Sequence, residues 1–222
     1  MWIDKIKNPH ALLIIAHPDD ETIFAGGLIL TSPTGTTWEI VCCIEEKEKR
    51  KDEFICACKF LLEHSDKKII PNYFGVRAIP NEGLDEAQNK ELLKKIGSLG
   101  TNYDIVITHN KLGEYGHPHH IAVHECVLRN NFTNIWSFVS PGTKPSVADV
   151  RDQRSRIVSN NKEITFNDKI KELKFRAFKE CHKSQFEVYV DPVTEKFLDK
   201  DIGRDVLIWE FCNGKEEYTL IR

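Results

Sequence analysis

The 222 residues lack the features that mark several common binding classes. There is no basic excess: 31 Lys and Arg stand against 34 Asp and Glu, a formal net charge of −3. A partner with a phosphate backbone normally shows as such an excess, so no nucleic acid is expected, while a small neutral or anionic ligand stays open. GxGxxG and GxxxxGK[ST] are both missing, and Gly26-Gly27 alone is too faint a phosphate-cradling signal to argue for a nucleotide. CxxC pairs are also missing, which sets a zinc knuckle aside. The seven cysteines are odd in number and lie mostly in apolar stretches, so they read as reduced, buried thiols of a cytoplasmic protein. Ala11–Ala16 is too short for a membrane span, and Met1 to His10 carries charge, so neither a transmembrane segment nor a leader is expected. With no internal repeat, low-complexity linker or second boundary, one domain over 1–222 is expected, and nothing specifies an oligomeric state.

What the chain does have is alternation of apolar runs with helical periodicity. Ala11–Ala16 is an unbroken apolar run, the signature of a strand buried on both faces and hence of a parallel sheet. Trp38–Ile44, Lys68–Phe74, Tyr103–Thr108 and Asn134–Val139 are further strand candidates. Between them Gly26–Leu30, Arg50–Glu63, Leu84–Ile96 and Pro118–Leu128 read as helices, and Gly75–Gly83 as a loop. Later, Asp168–His182 reads as a helix, with short strands at Phe186–Val190 and Val206–Phe211. The expected fold is α/β: a Rossmann-like, doubly wound, mostly parallel sheet.

Two histidine–carboxylate clusters each follow a strand, where open α/β sheets form their ligand crevice. His17, Asp19 and Asp20 follow the first strand; Glu114, Tyr115, His117, His119 and His120 follow the fourth. Imidazole and carboxylate together suit zinc, with ferrous iron a possible occupant of the same donors. His17 and Asp20 are three residues apart, as are His117 and His120 at a helix start, so each pair can point to one side. Hydrolysis by an ion-activated water also needs a base, an acid and an oxyanion donor. Asp19, His117 and Tyr115 are placed for those roles. Glu21 reads as a residue that orients a ligand or bonds backbone, and His124 as a helix-face residue rather than a rival ligand.

Ala16-His17-Pro18-Asp19-Asp20-Glu21-Thr22, Gly26-Gly27 and Gly116-His117-Pro118-His119-His120 resemble the two motifs of the LmbE-like (PIG-L) deacetylases. Arg50-Lys51-Asp52-Glu53 is similar to the family's Arg-x-x-Glu helix, and His182-Lys183-Ser184-Gln185 to its late His-x-Ser-Gln element. The resemblance implies zinc ligands His17, Asp20 and His120, general base Asp19, and assistance from His117 and Tyr115. It places Arg50 against substrate. Two departures stand out: His119 lies where relatives are often acidic, and Gly75–Gly83 lacks the family's usual aspartate followed by glycine. The expected activity is metal-dependent removal of the acetyl group from an N-acetylglucosamine-type sugar or glycoconjugate. The alternatives are a non-catalytic sugar-binding relative and another metal-dependent hydrolase, such as a phosphoesterase. Pro118 suits the first turn of a helix, which puts His117 at the cap, His120 one turn inside and His119 pointing away, toward solvent or the neighbouring loop.

Overall fold

The computed structural model describes residues 3–45, 50–139, 161–198, 211 and 214–222. Seven strands form one sheet: β1 (His10–Ile15), β2 (Thr37–Glu45), β3 (Lys68–Arg77), β4 (Ile105–Thr108), β5 (Ile135–Phe138), β6 (Asn161–Thr165) and β7 (Lys215–Leu220). The spatial order is β3-β2-β1-β4-β5-β7-β6. The first five are parallel, and β7 pairs antiparallel with both β5 and β6. Among the described residues the α-helices are α1 (Asp20–Thr31), α2 (Arg50–Glu63), α3 (Glu86–Gly97), a single turn α4 (Gly113–Gly116), α5 (Pro118–Arg129), α6 (Asp168–Cys181) and α7 (Lys183–Tyr189).

The apolar run of β1 divides its residues between two cores. Ala11, Leu13 and Ile15 pack with Phe24 and Leu28 of α1, Phe54 and Leu61 of α2, and Phe178 of α6. Leu12, Ile14 and Ala16 pack with Leu92 and Ile96 of α3 and with Val123 and Val127 of α5. A strand covered on both faces needs no polar alternation, which is why this one shows none. From β1 the chain winds outward through β2 and β3, then returns to β4 on the other side of β1. The crevice at such a switch point is where open α/β sheets hold ligands.

Several expectations are corrected. β3 runs on to Arg77, so Gly75 belongs to the strand rather than to a loop, at φ 60°. Phe186–Val190 is not a strand: Lys183–Tyr189 is helical, and Val190 makes only an isolated bridge to Phe197. The strand read at Val206–Phe211 lies outside the described residues apart from Phe211. β6 and β7 went unread because their polar, edge-like sequences carry no apolar run. The thiol expectation also fails at one pair: Cys56 of α2 and Cys181 of α6 form a disulfide, while Cys42, Cys43, Cys58 and Cys126 are free and buried. Disulfides persist where the compartment is oxidising, so this bridge removes the thiol argument for a cytoplasmic setting. Among the described residues no helix is long and apolar enough to cross a membrane.

Gly26-Gly27 has a packing reason. Lys174 of α6 and Glu216 of β7 are both buried and paired at 2.6 Å against the middle of α1. Glu216 accepts the backbone N–H groups of Gly27 and Leu28, Lys174 donates to the Ile23 carbonyl, and Tyr218 donates to the Phe24 carbonyl. Both members of two successive helix rungs therefore take side-chain partners. A Cβ on Gly27 would run into the Phe166 ring and lie 2.9 Å from Glu216 Oε1.

Candidate active site

β1 and β4 are neighbours, with Ile14 opposite Thr108, so the segments leaving their carboxyl ends meet. His17 Nδ1 lies 3.2 Å from His120 Nε2 and 3.7 Å from Asp20 Oδ2, while His120 Nε2 lies 3.6 Å from Asp20 Oδ1. Ligand atoms about 2.0–2.2 Å from a tetrahedral zinc ion sit about 3.3–3.6 Å apart, near these distances, although the two histidines face different oxygens of Asp20. All three residues are buried.

The donor set fits a cation in one arrangement of its protons. His120 Nδ1 faces Glu114 Oε2 at 2.6 Å; a carboxylate only accepts, so the proton is on Nδ1 and Nε2 presents a lone pair. With the His17 proton on Nε2, toward His119 Nδ1 at 2.9 Å, its Nδ1 presents a second lone pair. The Asp20 carboxylate adds a third acceptor. Burial alone would raise the pKa of Asp20, but positive charge on His120, His109 and His17, or on an ion in their midst, outweighs it and holds the carboxyl well below its usual range. Three acceptors facing one another fit a divalent ion.

Two overlapping triads of possible ligand atoms lie within 4.8 Å: His17, His117 and His120, and Asp20, His109 and His120. His109 was not singled out from sequence, although its place just after β4 is a signal that could have found it. Burial lowers its pKa, Glu114 and Asp20 raise it, and the balance is about 9. Yet its Nε2 accepts the Ala16 N–H at 2.9 Å, which an imidazolium cannot do. The same Nε2 lies 3.2 Å from Asp20 Oδ2, and a cation in the triangle would offset the carboxylates that raise the His109 pKa. His109 is then neutral, donates Nδ1–H to Glu114 at 2.7 Å, and has its other nitrogen occupied. His117 Nδ1 is likewise occupied, by the His119 N–H at 3.2 Å. These nitrogens of His109 and His117 are thus already hydrogen-bonded, whereas His17 Nδ1, His120 Nε2 and the Asp20 carboxylate face one another.

Glu114 is the carboxylate behind the site. At φ 59°, a left-handed conformation that costs a non-glycine residue of order 1–3 kcal/mol, it takes both His109 and His120 on Oε2, and the Asn110 N–H on Oε1 at 2.8 Å. Burial would raise its pKa, but the two imidazoles bring it to about 2. His124 donates Nδ1–H to the His109 carbonyl at 2.8 Å and takes no place in the triangle.

Asp19 caps α1 only by position: its side chain makes no cap hydrogen bond, and its φ is 128°. That strained backbone is fixed from two sides. Arg50 Nη2 donates to Asp19 Oδ2 at 2.7 Å and also to the Pro18 carbonyl; Glu21 Oε2 accepts the Asp19 N–H at 3.1 Å. Glu21 is held in turn by His182 Nε2 at 2.7 Å and by the Thr22 hydroxyl at 2.8 Å. Burial raises the Asp19 pKa, Arg50 resists, and the result is about 7. A base acting at neutral pH wants that value. Arg50 is itself buried and turned to Asp19.

His117 caps α5, and its ring lies 4.6 Å from that of His17. Burial and the neighbouring imidazoles lower its pKa to about 2, so it is neutral with its proton on Nε2. Tyr115 sits 5.5 Å from the His120 ring, and burial holds its hydroxyl protonated. His119 does not point away: it is fully buried against His17. The reason is that the helix starts at Pro118, so its first turn faces the crevice.

A family profile described as GlcNAc-PI de-N-acetylase, PIG-L, matches residues 12–130. An uncharacterized protein of Acanthamoeba polyphaga mimivirus is 31% identical over 149 residues, 57% of this chain and 60% of that protein; the chain thus spans about 60% of that relative's length. Among solved structures, the zinc-inhibited form of a teicoplanin deacetylase superposes with TM-score 0.60 at 13% identity, covering 95% of this chain and 97% of that one. N,N'-diacetylchitobiose deacetylase from Pyrococcus horikoshii, complexed with an inhibitor, gives TM-score 0.52 at 20% identity over 80% of this chain and 71% of that one. At such identities the two structures bear on the fold alone. The sheet order, the switch-point crevice and the profile match over more than half of the sequence agree: this chain belongs to the PIG-L (LmbE-like) family.

Proposed function

We propose that the chain is a metal-dependent N-deacetylase, hydrolysing the acetamide of an N-acetylglucosamine-type sugar or glycoconjugate to a free amine and acetate. The observation that carries this reading is the convergence of His17 Nδ1, His120 Nε2 and the Asp20 carboxylate beside Asp19, a buried carboxyl held by Arg50. A zinc or ferrous ion held by those three residues supplies Lewis acidity, acidifying water and polarising an amide carbonyl. Asp19 takes the proton of the attacking water, and Arg50 keeps its carboxylate aimed. His117, neutral and protonated on Nε2, donates a hydrogen bond to the developing oxyanion, and the proton that Asp19 takes from water passes to the departing nitrogen. The Tyr115 hydroxyl is a second donor at the same edge. We read the catalytic domain as running over 1–222, since β6 and β7 complete the sheet that β1 begins.

The test is to incubate zinc-loaded protein with N-acetylated hexosamines, sugar nucleotides, lipid-linked amino sugars and a phosphomonoester control. Free amine and acetate should appear in equal amounts and disappear in Asp19→Asn. Sugar binding without amine release would favour a non-catalytic relative, and phosphate release would favour a phosphoesterase.

A further inference from the structure

We infer that His119 is a positioning residue that sets the imidazole of His17 through its side chain, beside the backbone cap that position 119 gives His117. The inference rests on the metal site proposed above. His119 is fully buried in the first turn of α5. Its Nδ1 lies 2.9 Å from His17 Nε2, and its N–H is donated to His117 Nδ1 at 3.2 Å. A neutral imidazole has one N–H and one lone pair, so a partner at one nitrogen decides what the other can do. With an ion in the triangle, Nδ1 of His17 must present its lone pair and the proton sits on Nε2, where His119 Nδ1, 2.9 Å away, can accept it. Donating to His117 Nδ1 leaves the His117 proton on Nε2. The proposed ligand and the proposed donor thus both hydrogen-bond one residue, which follows the donor by two positions.

The two ligand imidazoles also differ in what stands behind them. His120 has an anion, Glu114 Oε2 at 2.6 Å, whereas His17 has an imidazole. A carboxylate behind an imidazole raises its strength as a donor, and a neutral partner does so less. The His17 arm of the site therefore depends on His119 chiefly for orientation and tautomer.

The test is zinc affinity by chelator competition, with no substrate present, for wild type, His119→Phe and His119→Asn. Phe keeps ring volume in the buried position but offers no acceptor. Asn places Oδ1 near the position of the imidazole Nδ1, where it can accept from His17. We expect His119→Phe to weaken zinc binding about 10–100-fold, the usual range for losing an outer partner of a metal ligand. His119→Asn should regain most of it, which a mere loss of packing would not explain. Wild-type affinity in His119→Phe overturns the inference, as does a folded His119→Asn that binds no better than Phe. A wild-type protein that takes up no divalent ion overturns the metal reading and this inference together. Because the readout needs no turnover, failure to find a deacetylated sugar leaves it intact.

Discussion

Arg50 Nη2 donates to Asp19 Oδ2 at 2.7 Å, joining the start of α2 to the strained residue that precedes α1. The contact separates two roles for Arg50. If it acts through Asp19, Arg50→Gln lowers kcat while KM changes little, because the carboxylate loses its aim and the cation that opposes its rise in pKa. An arginine that grips substrate would instead show its loss in KM. Steady-state kinetics on the best sugar from the panel decides between them.

Asp19→Asn keeps the shape of the side chain and the contact to Arg50 but cannot take a proton. Turnover should fall about 10²-fold or more with metal content kept, as measured by elemental analysis beside the rate. An active Asn variant excludes Asp19 as the base, and one that loses its metal makes Asp19 a ligand.

The ligand set predicts about one divalent ion per chain, by analogy with single-ion catalytic zinc sites. His17→Ala and Asp20→Asn should lose most of it. Chelation should lower the melting temperature of the wild type and restore it on adding zinc, since an ion that binds only the folded state stabilises it by mass action. A melting curve indifferent to chelator counts against the site.

His182 gives a pH signature away from the ligands. Burial lowers its pKa, but Glu21 at 2.7 Å and then Asp19 raise it, and the balance lies above the ordinary value of 6.5. The stabilisation from the charged His182–Glu21 pair is therefore complete below about pH 6.5 and is lost as pH rises through the raised folded-state value. Denaturant midpoints of wild type should drop more between pH 6 and pH 9 than those of His182→Gln. Equal slopes would remove the pair from the stability balance.

The Cys56–Cys181 bridge closes a separation of 125 residues and ties α2, which carries Arg50, to the end of α6, next to His182. Cys56→Ser should cost about 2–4 kcal/mol of stability. Under non-reducing conditions the intact wild-type mass should lie two hydrogens below its reduced mass. A protein that shows neither effect holds these thiols reduced.

The sequence alone determined the parallel core of the fold and the composition of the site. An unbroken apolar run such as Leu12–Ile15 can only be satisfied with both faces covered, and the helical periods between such runs supply the covers. His17-Pro18-Asp19-Asp20 and His117-Pro118-His119-His120 announce their chemistry because zinc-type donors seldom gather that closely. Tertiary structure decided the rest. Only the β1–β4 adjacency brings His17 against His120, 103 residues apart, and only the packing of α2 on α6 brings Cys56 against Cys181. His109 and Glu114 emerge as partners of the site from the loop's path, and Arg50 faces Asp19 because α2 starts over Pro18. His119 defeated the sequence reading for the same reason: a helical period says which residues share a face, but not which way that face turns until the helix has docked.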